Sequence, residues 1–166
     1  MSVTVRARHV YRHPVEKVWA AFSDPEFYQH KFEGIGHRDV EVLASDAGDG
    51  EFTIETRRKV PLEVPGMLKK FLGEWNTVLQ DERWCEGAEG EYTNELEITA
   101  EGVPASMTGA MTLAPARSGC VNEVEITIRA GVPIIGGRLE QFVAEGTEAQ
   151  LAAEYDFIRK YLDGLG

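Results

Sequence analysis

From Gly136-Gly137 to about Leu162 the apolar residues recur at helical spacing, and this one long amphipathic helix constrains the fold more than any other feature. Leu139, Phe142, Val143, Gly146, Gln150, Ala153, Phe157 and Tyr161 share one face, while Gln141, Glu145, Glu148, Ala152 and Arg159 share the opposite one. A stripe that long must be covered by another layer. The preceding segment supplies it. From residue 37 onward the period is two, with candidate strands at 37–45, 51–60, 74–85, 90–101, 106–115 and 120–130. Tyr92, Asn94, Leu96 and Ile98 alternate with Glu91, Thr93, Glu95 and Glu97, the pattern of an antiparallel sheet with one wet and one buried face. Pro61 to Gly73 breaks the rhythm and reads as a loop or short helix around Pro65-Gly66-Met67-Leu68.

The start of the chain adds three elements. Val3, Val5, Ala7, His9 and Tyr11 alternate as in a half-buried strand. Pro14 suits the first turn of a helix carrying Val15, Val18, Trp19 and Phe22. Ser23-Asp24-Pro25-Glu26 is a capping-box pattern, which predicts a second short helix with Phe27, Tyr28 and Phe32, ended by Gly34 and Gly36.

Bulk properties narrow the function classes. The 166 residues fall within the range of one domain. A net charge of −11, from 17 Lys+Arg against 28 Asp+Glu, repels phosphate backbones and anionic lipid surfaces, so no nucleic-acid partner is expected. The densest basic runs, Arg57–Lys59 and Lys69–Lys70, are short. Cys85 and Cys120 lie far apart, without metal-ligand spacing, and are too few for a secreted disulfide framework. The N-terminus has no apolar signal region and no apolar stretch approaches 18 residues, so a cytoplasmic protein without integral membrane association is expected. G-x-S-x-G, H-E-x-x-H, C-x-x-C, P-loop and G-x-G-x-x-G patterns are absent, and His9, His13, His30 and His37 fall on different elements. No catalytic residue, metal or cofactor is therefore assigned.

The stretch His13-Pro14-Val15-Glu16-Lys17-Val18-Trp19-Ala20-Ala21-Phe22-Ser23-Asp24-Pro25-Glu26-Phe27-Tyr28 resembles the opening signature of the START-like, or Bet v 1-like, superfamily. More narrowly, Lys59 to Trp84 and the later VPIIGGRLEQFV resemble a START-like family known only as a domain of unknown function. The resemblance implies one α+β helix-grip domain over residues 1–166. In it a curved antiparallel sheet of about seven strands wraps a long C-terminal helix, with two short helices after strand 1. Superfamily relatives bind lipids, sterols or plant metabolites, cyclise or dehydrate polyketides, or assist chaperones and respiratory quinones, and a shared fold does not choose among these.

A helix laid across a concave sheet leaves a cavity unless large side chains fill it. Gly146, Gln150 and Ala153 occupy the middle of the expected inner face, with Phe142 and Phe157 outside them, which leaves room under the helix centre. Met107 and Met111 on one strand and Met67 in the irregular segment would give adaptable apolar walls. Ordinary core filling is the commoner role of any single such methionine, and Phe71, Trp19, Trp84 and Tyr92 join the cavity candidates. Inward parity also places His9, Arg58, Asn94 and Glu82 among the cavity candidates, and a buried Glu82 would need a partner such as Arg58. The expected function is a binding or carrier protein for a hydrophobic or amphipathic small molecule, lipid-, polyketide- or isoprenoid-like. Two alternatives stand beside it: a polyketide cyclase or dehydratase-like enzyme using the same cavity, with His9 and Glu82 as an acid–base pair, and a protein–protein adaptor using an apolar patch at Val60–Phe71.

Overall fold

The computed structural model describes residues 1–165. In chain order it contains β1 (Val3–Tyr11), α1 (Val15–Phe22), α2 (Pro25–Gly34), β2 (Arg38–Gly48), β3 (Glu51–Pro61), a single helical turn at Gly66–Leu68, β4 (Trp75–Glu86), β5 (Tyr92–Ala100), β6 (Ala105–Ala116), β7 (Gly119–Ala130) and α3 (Gly136–Gly164). The strands form one antiparallel sheet in the order β1-β7-β6-β5-β4-β3-β2. The expected α+β helix-grip architecture with seven strands is what the chain adopts.

The start of α2 differs from the expected capping box. Asp24, not Ser23, caps it: the Asp24 carboxylate accepts the Glu26 N–H at 3.0 Å, and Pro25 supplies the first helical residue. Ser23 closes α1 instead, its hydroxyl donating to the Trp19 carbonyl at 2.6 Å. A hydroxyl one residue too early for α2 is well placed to satisfy the last turn of the helix before it.

Register carries the buried face across the sheet. Ile54 lies opposite Glu82, Glu82 opposite Leu96, Leu96 opposite Gly109, and Gly109 opposite Ile126. At Gly109 a Cβ would stand 2.7 Å from the Glu125 carbonyl oxygen, so only glycine permits this approach of β6 to β7.

Helix α3 covers the sheet with Leu139, Ala144, Leu151, Ile158 and Leu162, together with Glu140 and Glu154. This line is rotated from the expected stripe: Gly146 and Ala153 are exposed, and Phe142, Gln150, Phe157 and Tyr161 are half-buried. Two contacts pin the helix. The Glu140 carboxylate accepts the Ala130 N–H at 2.8 Å, and the Tyr155 hydroxyl accepts from the Val10 N–H and donates to the Val10 carbonyl. Aromatic side chains of α1, α2 and β4 fill the end near Ile158 and Leu162, while Leu68, Leu72 and Leu139 pack together at the other end.

Candidate functional site

Between those two packed ends a cavity of about 430 Å³ lies under α3. Its floor is sheet: Arg58 and Val60 from β3, Val78 and Gln80 from β4, Leu96 and Ile98 from β5, Met107 and Met111 from β6, Ile126 from β7. Its roof is α3: Phe142, Val143, Gly146, Gln150, Ala153 and Glu154, with Lys31 from α2 at one corner. Gly146 and Ala153 line the cavity and are exposed, so the roof is also where solvent reaches it. A Cβ at Gly146 would meet only Leu62, at 3.9 Å. A second hollow of 560 Å³ lies on the wet face of the sheet, walled by the exposed Glu55, Asp81, Arg83, Glu95 and Glu97. Its charged walls and openness make it a solvent furrow, and the smaller cavity has the ligand-site character.

Seven of the sixteen residues singled out from sequence line the 430 Å³ cavity: Arg58, Met107, Met111, Phe142, Gly146, Gln150 and Ala153. Nine do not. His9, Glu82 and Trp84 border a neighbouring space of only about 30 Å³, lined also by Phe22, Phe27 and Tyr28 and sharing Lys31, Met111, Leu151 and Glu154 with the larger cavity. Trp19 stacks on Tyr92 at 4.0 Å and meets Trp84 edge-on, so these three are packing residues. Asn94 is buried behind Glu82, donating to it at 3.1 Å. Phe157 turns to α2, where its ring occupies the space a side chain at Gly34 would need. Phe71 packs with the Leu68–Leu72–Leu139 group, and Met67 is exposed.

Sequence reasoning missed Lys31, His37 and Glu154. The Lys31 ammonium pairs with the Glu154 carboxylate at 3.1 Å, both buried, and Gln150 donates to the same carboxylate at 2.8 Å. Burial pushes the Glu154 carboxyl up, but Lys31, the Gln150 hydrogen bond and Arg58 together hold it below its ordinary range. Arg58, a possible partner for a buried Glu82, does not pair with it. Instead Arg58 Nε donates to His37 Nδ1 at 2.9 Å and Arg58 Nη2 to Gln80 Oε1 at 2.9 Å. Gln80 then donates to Glu82, and the ring of Phe32 lies 3.8 Å from the guanidinium. Burial, reinforced by Glu154, raises Glu82 toward its neutral form. Burial lowers Arg58 to about 10, which leaves it cationic at neutral pH.

His37 is pushed down to about 4 by burial and by the adjacent Arg58 charge. It is therefore neutral in the fold at pH 7, as its role as acceptor for Arg58 requires. Between its unfolded value of about 6.5 and this folded value, the unfolded chain binds a proton that the folded chain refuses, so stability falls as pH falls through that window. Solvent screening at a partly open wall reduces the effect to about 1–2 kcal/mol. His9, also lowered by burial, acts in the same direction; Glu154 adds a loss below its unfolded value, and Glu82 opposes them. Urea unfolding at pH 7 and pH 4.5 should give a smaller acid loss for His37→Gln than for the natural chain. Equal losses would remove His37 from the linkage.

Among the described residues no helix is long and apolar enough to cross a membrane. The fold is of the helix-grip type, a seven-stranded antiparallel sheet covered by a long terminal helix, with a cavity beneath that helix. A family model described as "Protein of unknown function (DUF2505)" matches residues 6–162, and the chain belongs to that family. An uncharacterized protein of Mycobacterium tuberculosis is 25% identical over 156 residues, covering 89% of each chain. The fold is similar to that of a Mycobacterium smegmatis protein (14% identity, TM-score 0.61, covering 99% of this chain and 92% of that one). It is also similar to norcoclaurine synthase of Thalictrum flavum in complex with dopamine and hydroxybenzaldehyde (14% identity, TM-score 0.57, covering 96% and 88%). A third similar structure is Ara h 8.0201 (14% identity, TM-score 0.60, covering 95% and 98%).

Proposed function

We propose that this chain binds or carries a hydrophobic or amphipathic small molecule in the cavity beneath α3. The carrying observation is an apolar space of about 430 Å³, inside the range of ligand pockets, that the side chains of a fully packed helix–sheet interface would have filled. The complex of the similar Thalictrum flavum fold with dopamine and hydroxybenzaldehyde supports this reading. The acid–base alternative has less support: His9 and Glu82 border a space of about 30 Å³, room for a water rather than a substrate, and His9 is stacked on Tyr155 at 4.3 Å. The adaptor alternative is also weaker, because Leu68 is buried and Leu62, Val64 and Phe71 are half-buried against the Leu139 group, which leaves Pro61, Pro65 and Met67 as the exposed apolar residues of that patch.

Native mass spectrometry of freshly purified protein, with extraction of bound metabolites, tests the proposal directly. Ala153→Trp places an indole at the solvent-open roof and should reduce ligand uptake by about tenfold or more while changing stability by less than about 1 kcal/mol. Undiminished uptake, or a large stability loss with no change in binding, would return α3 to simple packing.

A further inference from the structure

Resting on the reading of the cavity as a ligand site, we propose that its ligand carries an anionic head, a carboxylate, and that Arg58 receives it. Arg58 is 1% exposed, yet it has no carboxylate partner among the described residues. Both of its hydrogen bonds end on uncharged acceptors, His37 Nδ1 and Gln80 Oε1, and its Nη1 has no partner at all. The one ion pair buried on both sides among the described residues is Lys31–Glu154, so the Glu154 charge is already matched. Glu82, the remaining acid of the network, accepts from Gln80 and Asn94 rather than from Arg58, and burial together with the Glu154 charge raises it against those two hydrogen bonds and Lys31. Of the acids that line the cavity Glu63 is exposed, and of the two buried cations there, Lys31 and Arg58, only Lys31 pairs with a carboxylate.

A buried guanidinium without a counter-ion is costly, and the Phe32 ring face offsets only part of that cost. A carboxylate satisfies it best, because its two oxygens match the fork of N–H donors. His37 accepts at Nδ1 and so bears its proton on Nε2, which gives the same wall a second donor. From this polar corner the walls turn apolar through Val78, Ile98 and Met107, the order expected for an acid head followed by a hydrocarbon or ring body.

Calorimetric titration at pH 7 with matched probes separates head from body: decanoate against decanol, and naphthylacetate against naphthylethanol. The natural chain should bind the acid of a pair about tenfold or more tighter than the alcohol. Arg58→Met should abolish that preference by weakening acid binding to the level of the alcohol. Alcohols binding as well as acids would overturn the head-group assignment and leave the cavity reading intact. Acetate binding as tightly as decanoate would overturn the amphipathic ligand in favour of a small-anion site. Failure of all four probes on the natural chain would overturn both readings. The acid-to-alcohol ratio of the natural chain stands even if the variant does not fold.

Discussion

Glu154→Ala is expected to destabilise the protein by about 3–5 kcal/mol, because it strands the Lys31 ammonium in a buried site. The Lys31 and Glu154 side chains are only 7% and 12% exposed, so neither charge can recover its hydration by a small movement. Around Lys31 the rings of Phe32, Tyr28 and Phe27 lie 4.6, 4.9 and 5.6 Å from the ammonium. Their faces attract a cation, but each contact is worth about 0.5–2 kcal/mol and does not replace a carboxylate. The same substitution withdraws a negative charge that favours the cationic form of Arg58. The cost belongs to breaking the pair rather than to the pair itself. The double variant Lys31→Met with Glu154→Leu should therefore recover most of the loss. Guanidinium unfolding midpoints of the two single variants and the double variant measure this. A cost below about 1 kcal/mol for Glu154→Ala would mean that water reaches the pair.

Glu154 also explains what the sequence could and could not disclose. The strands were legible because each has one wet face: Glu91, Thr93, Glu95 and Glu97 against Tyr92, Asn94, Leu96 and Ile98 leave a single register for burial. The terminal helix was legible as an element but not in rotation. Two stripes compete on it. One runs through Phe142, Gly146, Gln150 and Ala153, the other through Ala144, Leu151, Ile158 and Leu162. The second is the buried one, yet it carries Glu140 and Glu154, residues of a type almost never fully buried without a partner. Each is buried because it has a specific partner, the Ala130 N–H across the turn into α3 for Glu140 and the remote Lys31 for Glu154. For the same reason Arg58 could be placed inward by parity, while its neighbours could not. His37 lies before β2 and was invisible as its acceptor until the sheet brought the two together. A useful signal was present all the same: a charged residue sitting at the period of a buried stripe, as Glu154 sits between Leu151 and Ile158, marks a candidate buried partner for a cation.

Trp84→Ala should cost about 3–5 kcal/mol while leaving ligand uptake in the folded protein unchanged. Trp84 is 1% exposed, meets Trp19 edge-on at 5.7 Å, lies 5.7 Å from Phe22, and donates its indole N–H to the Tyr28 hydroxyl at 3.2 Å. Truncation opens a void among large rings that are fixed by their own contacts: Tyr28 still donates to the Phe22 carbonyl at 2.7 Å, and Trp19 remains stacked on Tyr92. Such rings collapse poorly into a void, which puts the cost at the upper part of the range for large-to-small substitutions. Trp84 does not line the 430 Å³ cavity, so probe affinity measured well below the melting transition should stay within about twofold of the natural chain. The reverse profile is expected in the middle of α3, where Ala153→Trp should reduce binding and spare stability. The two variants together assign different roles to the two parts of the long helix. Its C-terminal half clamps an aromatic core, and its middle spans an opening that the core does not need. A Trp84→Ala protein that remains stable, or that loses ligand while still folded, would merge the two parts and extend the ligand site into the aromatic end.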